Sequence, residues 1–525
     1  MPTVSRARIT TGRETSTLGL SLLLLLSLSV SAQVTTPERA LVEAAAEAMG
    51  GIDALMSIDT LTLRGYGHEA YQDGGSQITT EPTAPEKMTN LTAYERVIDL
   101  VNERTRVRAR GFRAFVFAAE SMMRGQPREQ ALDGAVAYDG VRRQSDEVAR
   151  HRRLEMLANP LVAVRAALDS ASRVVNRRYD GPDSLVDVTT ADGIEFTLAV
   201  SDTTGLPVWI HWVEPHENLG EITLRAEFSA YEPVAGIMLP MSFNTVSDFR
   251  DTVMLRLHVD RYLVNAEIEG LAAPDAVRNA APPTPSWSAS SELVAPGIWL
   301  ITGSGANSIL LEFADHLTLF EVPTNRGWTQ AVIDEARRLV PNKPLTEAII
   351  SHHHFDHTGG LRTAIAEGLT IITQTGNIEW FEDLARRTVT RFPDTLSRNP
   401  KPIKTLAVDD HLRLTDAALT VDVYRMVANG HMAHGLMAYV PEYRLLIQGD
   451  LFDMSWQTYF WGDTYAANLA HRAIEVERDV PVHGRVQPID EVRRLIAEQT
   501  ATARALCNDV EAAGLSMPGC PLAWD

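Results

Sequence analysis

Two patterns of apolar and polar positions divide the chain. In its first half the period is two: Leu255, Leu257 and Val259 alternate with Arg256, His258 and Asp260, and Ile222, Leu224, Ala226 and Phe228 alternate with Thr223, Arg225 and Glu227. Such alternation marks strands with one face buried and one face wet. Gly236-Ile237-Met238-Leu239-Pro240 sits between two of these strands, a helical stretch Glu38 to Met49 is closed by Gly50-Gly51, and residues 147–168 carry a longer helical pattern interrupted at Pro160. Region 33–270 therefore predicts a mainly antiparallel β domain with a few helices.

The pattern then changes. Residues 271–291 are rich in Ala, Pro and Ser, include Pro282-Pro283-Thr284-Pro285, show no periodicity and predict a linker. Beyond it, short apolar runs at Ile298 to Thr302, Ser308 to Phe313 and Leu317 to Val322 precede a helix-like stretch, Trp328 to Leu339, and a further run, Ala348 to Ile350. Strands that give way to helices imply an α/β domain, placed at 292–498 with 499–525 as a C-terminal tail.

Composition adds three constraints. With 45% hydrophobic and 22% charged residues in 525, the chain is long enough for more than one core. Arg6, Arg8 and Arg13 precede an apolar run from Leu18 to Leu28 and a small-residue ending, Val30-Ser31-Ala32. That run is shorter than the ~20 residues that span a bilayer, so residues 1–32 predict a cleaved signal peptide and a periplasmic or secreted product without a membrane span. The net charge is −20, and removing Arg6, Arg8, Arg13 and Glu14 with the signal takes it to −22, a field that repels nucleic acid and anionic lipid; the expected partner is a small-molecule substrate. Cys507 and Cys520 are the two cysteines; in an oxidising compartment a disulfide closing the tail is open to them, as are two free thiols.

Chemistry concentrates in Ser351-His352-His353-His354-Phe355-Asp356-His357-Thr358-Gly359-Gly360. In an extended chain residues two apart share a face, so His352, His354 and Asp356 are expected to converge while His353 and Phe355 point away. His357, at the turn into a helix, adds a fourth group. Neutral imidazoles and carboxylates are zinc ligands, and a merely solvated histidine loop needs neither the carboxylate nor the glycines.

The HHHFDH run at 352–357 resembles the HxHxDH motif of the metallo-β-lactamase superfamily, and the resemblance extends over about residues 292–498. It implies an αββα sandwich with two Zn2+ ions per chain, His352 and His354 serving the first metal and Asp356 and His357 the second. It also implies three further ligands. His431, in "NGHMAHGLMAYVPE" (429–442), completes the first metal, its register set by Leu436 to Pro441 in preference to His434. Asp450, in the Gly-Asp after Leu445 to Gln448, bridges both metals, and His483 in "VPVHG" (480–484) completes the second. One departure is the corner Glu321-Val322-Pro323-Thr324-Asn325, where the superfamily often has an Asp-Thr-Gly-like turn. Region 33–270 is similar in looser motifs, "GGIDAL" at 50–55 and "YEPVAGIMLP" at 231–240, to the half-barrel of outer-membrane lipoprotein carriers, which implies an apolar ligand or lipid; the alternative is a cap on the hydrolase or a homodimer contact, since no sequence feature identifies a ligand.

The activity implied is that of an exported hydrolase in which metal-activated water cleaves an ester, lactone or amide, with Asp356 orienting the water or shuttling its proton. The competing readings are a one-iron persulfide dioxygenase, disfavoured by His357 and His483, and a non-enzymatic periplasmic binding protein with a vestigial site. Flavodiiron reductases normally carry Glu at the position of His354, and ribonucleases of this fold do not suit the export signal and the charge. The aromatic series Phe452, Trp456, Tyr459, Phe460, Trp461 and Tyr465 fits either a pocket wall or packing beneath the site.

Overall fold

In the computed structural model the described residues are 35–71, 77–113, 115, 125–517 and 519–520. The signal-peptide reading of residues 1–32 lies outside them. Residues Pro37–Asp525 cluster as one compact unit.

Thirteen strands between Thr60 and Val264 form a single sheet. The first, Thr60–Ala70, pairs antiparallel with the last, Val253–Val264, and the neighbours follow chain order outward on both sides. Period-two burial is visible in the last strand, where Leu257, Val259 and Tyr262 are buried while Arg256, His258 and Asp260 face water. Gly236 turns the hairpin between Gly220–Val234 and Ile237–Ser247 in a left-handed conformation that a side chain would strain. Pro160 starts a helix instead of kinking one. Asp146–Leu157 ends, Asn159 accepts a hydrogen bond from the Leu161 N–H at 3.1 Å, and Pro160–Leu168 begins with proline where no donor is needed.

The segment 271–291 runs along the first sheet. It contains the short helix Asp275–Asn279, whose Val277 is buried against Ala131 and Tyr138. The strand Ser290–Ala295 then opens the second part of the chain.

From Ser290 onward two sheets stack face to face. One has seven strands from Ser290–Ala295 to Lys404–Val408, the other six from His411–Thr415 to Gln487–Pro488. Strand pleating sorts the residues between layers. Ile309, Phe320, Ile349 and Ile372 meet Val421, Val423, Ala438, Ile447 and Val480 between the sheets. Their neighbours Leu310, Leu319, Ala348 and Ile371 point the other way, onto Trp328, Val332, Ala364 and Trp380 of the covering helices. Met437, Tyr439 and Leu446 of the second sheet pack outward on Tyr465, Leu469 and Val492. The result is an αββα sandwich. Its last helix, Ile489–Ala512, continues past residue 498, the expected end of the domain, because Ala503 and Val510 still bury against Phe460. Cys507 and Cys520 are joined in a disulfide.

The first sheet is packed directly on this sandwich, and one core cluster runs from Leu61, Leu224 and Val259 through to Val332, Leu361 and Phe381. Polar contacts seal the junction. Glu221 accepts hydrogen bonds from three successive N–H groups, of Thr390 at 3.0 Å, Arg391 at 2.8 Å and Phe392 at 3.1 Å, and Asn218 donates to the Phe355 carbonyl at 2.8 Å. That last bond lands inside the histidine run.

Candidate metal centre

The strand Leu345–Ile349 is buried and short, and the chain leaves it at Ile350 to enter the histidine run. His352 and His354 come from this irregular exit, but Asp356 and His357 do not continue it as the alternating pattern predicts. Phe355–Thr358 is one turn of helix with His354 at its N-terminal boundary. Asp356 and His357 are therefore presented by helical rotation. The turn is tied to the corner after Leu317–Phe320 by two bonds, Thr324 N–H to the Asp356 carbonyl and Gly360 N–H to the Val322 carbonyl, both 2.8 Å. Glycine is required by this close approach, because a Cβ at Gly359 would lie 2.2 Å from the Thr324 carbonyl and one at Gly360 would lie 1.9 Å from the Thr329 hydroxyl.

Three other strand-flanking loops deliver the remaining side chains. His431 lies ahead of Leu436–Val440, its N–H held by the Asn429 side chain at 2.7 Å. Asp450 follows Leu445–Gln448, and His483 follows Arg478–Pro481. Gly449 has no room for a side chain, since a Cβ there would come within 2.4 Å of the Ser351 hydroxyl.

All seven sequence-predicted positions converge in two groups, His352, His354, His431 and Asp450 in one and Asp356, His357, Asp450 and His483 in the other. Asp450 belongs to both. Its Oδ2 is 2.8 Å from His431 Nε2 and its Oδ1 is 3.1 Å from His357 Nε2 and 3.3 Å from His483 Nε2. His434 is in neither group. Its ring lies against Gly376 and its carbonyl accepts from Asn377 at 2.8 Å.

The donor set fits metal ions. His352 Nε2 and His354 Nδ1 are 2.9 Å apart, and burial first, then the neighbouring positive groups, holds both imidazoles well below their usual pKa. Neutral rings with converging lone pairs are what a cation needs. Burial opposes charge on His357 and His483, yet the carboxylates of Asp450 and Asp356 outweigh it, holding His357 well above its usual value and raising His483 to about 9. Burial likewise opposes charge on Asp356, which His357 and His483 nonetheless hold at about 2. Asp356 Oδ1 is buried and accepts no hydrogen bond among the described residues. An uncompensated buried carboxylate oxygen beside two cation-prone imidazoles is accounted for by a ligand of positive charge.

Glu321 supports the corner where the sequence departs from the family's turn. Its Oε1 accepts from the Ser351 N–H at 3.1 Å and lies 3.4 Å from His357 Nδ1, and the residue is fully buried with φ +75°. The left-handed backbone aims a side chain longer than aspartate back at the ring. Ser351 in turn bonds His352 Nδ1 at 2.8 Å. These partners set ring orientation in both groups.

The Asp450 turn is braced from below. The Gln448 side-chain carbonyl accepts from the Leu451 N–H at 2.9 Å, and its amide donates to the Phe452 carbonyl at 2.9 Å and to Asp479 at 3.2 Å. Tyr465 donates to the same carboxyl at 2.8 Å. Burial pushes Asp479 up to about 7, against the lowering effect of those two donors, whereas an unfolded chain releases this proton at about 4. Its stabilising contribution is therefore full below about pH 4 and is lost as pH rises to about 7. Thermal unfolding of the metal-free protein at several pH values is expected to show wild type losing ground to Asp479→Asn across that interval; a constant difference would contradict it.

Of the aromatic series only Trp456 lines the metal cavity, 5.6 Å from the His431 ring. Phe452, Tyr459, Phe460, Trp461 and Tyr465 are buried as packing. The cavity, about 440 Å³, has two walls that sequence reasoning did not foresee: Asp453 and Ser455 from the loop after Asp450, and Tyr71 and Arg113 from the first sheet.

Residues 301–454 match the family model described as the metallo-beta-lactamase superfamily. No curated protein matches. Among solved structures the chain is similar to the DIM-1 metallo-beta-lactamase exposed to ceftazidime, at 17% identity over 41% of this chain and 98% of that one with a TM-score of 0.33. It is also similar to a metallo-beta-lactamase from Pontibacter korlensis, at 14% identity over 40% and 99% with a TM-score of 0.32. A third is the inverting sec-alkylsulfatase Pisa1 from Pseudomonas sp., at 17% identity over 43% of this chain and 44% of that one with a TM-score of 0.34.

Proposed function

We propose that the chain is an exported hydrolase that holds two zinc ions and cleaves an ester, lactone or amide of a small molecule. The observation that carries the reading is Asp450, one carboxylate whose two oxygens face the two histidine groups. His352, His354 and His431 would hold one ion and Asp356, His357 and His483 the other, with Asp450 shared. When bound, such ions lower the pKa of a water toward neutrality and polarise the bond it attacks. The chain's own residues do the rest. Asp356, with one oxygen that accepts no hydrogen bond from the described residues and the other 3.5 Å from His483 Nε2, would orient the water and take its proton. Glu321 and Ser351 keep the rings in their binding orientation, and the wall from the first sheet narrows the approach.

Export rests on the segment 1–32 and is supported by the Cys507–Cys520 disulfide, a bond that persists in oxidising compartments. N-terminal sequencing of the protein recovered from its host tests it.

The function is tested by metal analysis together with a panel of nitrocefin, acyl-homoserine lactones, aryl esters, thioesters and phosphodiesters. Two zinc ions per chain and a turnover that chelation removes and zinc restores are expected. A single iron, or no turnover across the panel, would overturn the reading.

A further inference from the structure

The metal cavity carries a positive group that the metal chemistry does not use. Arg113 ends the strand Arg104–Arg113 of the first sheet, and Tyr71 follows the end of Thr60–Ala70. Both line the cavity with His354, Asp356, His431 and Asp450. The arrangement is built. The Arg113 guanidinium sits 4.6 Å from the centre of the Tyr71 ring, and that ring packs on Phe115 with centroids 4.8 Å apart. The Tyr71 N–H donates to the Lys87 carbonyl at 2.7 Å, and the fully buried Lys87 places its ammonium 5.5 Å from the same ring. Two cations thus share one aromatic plate on the side of the cavity facing the histidine groups.

Two other arginines on the same strand are neutralised by carboxylates, and Arg106 donates to the Glu269 and Gly270 carbonyls at 3.3 Å. Arg104 pairs with Asp133 at 2.6 Å and Arg108 with Glu129 at 2.6 Å. No carboxylate among the described residues lies within ion-pair distance of Arg113. A planar guanidinium held on an aromatic face presents its N–H edge as a fork that suits an oxyanion, and in a recessed site such a pair is little screened.

We infer that Arg113, steadied by Tyr71, is a specificity-determining residue that binds an anionic group on the substrate, a carboxylate or its sulfate or phosphate counterpart, set apart from the bond to be hydrolysed. The inference rests on the hydrolase reading for its second half, since it names the substrate class of the same site. It assigns the first sheet a share of the active site: the sandwich supplies the reaction centre and the sheet selects the charge of what reaches it.

Two measurements on the zinc-loaded full chain separate this from the parent reading. The first is calorimetric binding of glutarate against butyrate, which carry two carboxylates and one. Wild type is expected to prefer glutarate, and Arg113→Gln to lose that preference by about tenfold, with Arg113→Lys between them and Arg108→Gln like wild type. The second is the kcat/KM ratio of an aryl hemisuccinate to the matching aryl acetate, expected to fall about tenfold in Arg113→Gln. Equal preferences in wild type and Arg113→Gln, or failure of wild type to distinguish the two acids, would overturn the inference. If no ester is turned over but the glutarate preference depends on Arg113, the anion site stands and the hydrolase reading falls.

Discussion

Asp450→Ala is expected to reduce hydrolysis by roughly 10³-fold or more and to release metal from both groups, because a charge-stabilising contribution of several kcal/mol disappears at tenfold per ~1.4 kcal/mol. Among the described residues no other side chain belongs to both groups of ligating atoms. The loss should not be a folding defect: Asp450 lies on a loop after Leu445–Gln448, and the turn is braced by Gln448 and Asp479 whatever occupies position 450. Removing the carboxylate also removes the negative charge that keeps His357 and His483 protonation-prone, so circular dichroism of the variant should match wild type while its metal content does not. His431→Ala is expected to empty one group and leave the other partly filled. His434→Ala, three residues on but facing Gly376, should keep wild-type metal and activity. Full metal occupancy in Asp450→Ala would refute the shared-ligand assignment.

Arg362→Ala is expected to destabilise the fold by about 3–5 kcal/mol, the cost of leaving one member of a buried ion pair uncompensated. Arg362 stands on the helix Leu361–Glu367, directly after the ligand turn, and is 5% exposed. Its guanidinium donates to Asp394 Oδ1 at 3.2 Å, is paired with Oδ2 at 2.5 Å, and donates to the Leu384 carbonyl at 2.7 Å. Asp394 is itself spent on the Ser397 N–H at 2.8 Å, so its loss of the arginine leaves a charge in a place water does not reach. Gly220 of the first sheet packs on the same pair, where a Cβ would meet Asp394 at 3.1 Å and Arg362 at 3.3 Å. Replacing both members by apolar residues, Arg362→Met with Asp394→Leu, should cost much less than the single change, because no charge is stranded. Urea unfolding of the two variants measures this, and equal losses in both would contradict it.

The ligands were legible because their chemistry is written in short, local runs. Three histidines and an aspartate within six residues, and a Gly-Asp or His-Gly at the end of an apolar run, survive reading in one dimension. The strand pattern was legible for the same reason, since pleating repeats over a handful of residues. What the sequence could not convey was how Asp356 reaches the site. Alternation predicts an extended run, but the Thr324 and Val322 backbone bonds pull residues 355–358 into a helical turn. Glu321 was visible only as a departure; that its extra methylene is absorbed by a left-handed backbone is a property of the fold. Tyr71 and Arg113 gave no sign at all. They lie more than two hundred residues from His354 in the chain and meet it only because the first sheet and the sandwich share one core.

That shared core has a consequence for how such a protein can diversify. The metal ligands are fixed by helix packing and glycine contacts within the sandwich, where nearly any exchange disturbs several neighbours. Residues 71 and 113 sit at strand ends of the first sheet, in contact with the cavity but outside the helix packing and glycine contacts that hold the histidines. On the function proposed above, changes at these two positions would alter which substrate is admitted while the residues of the metal centre stay as they are.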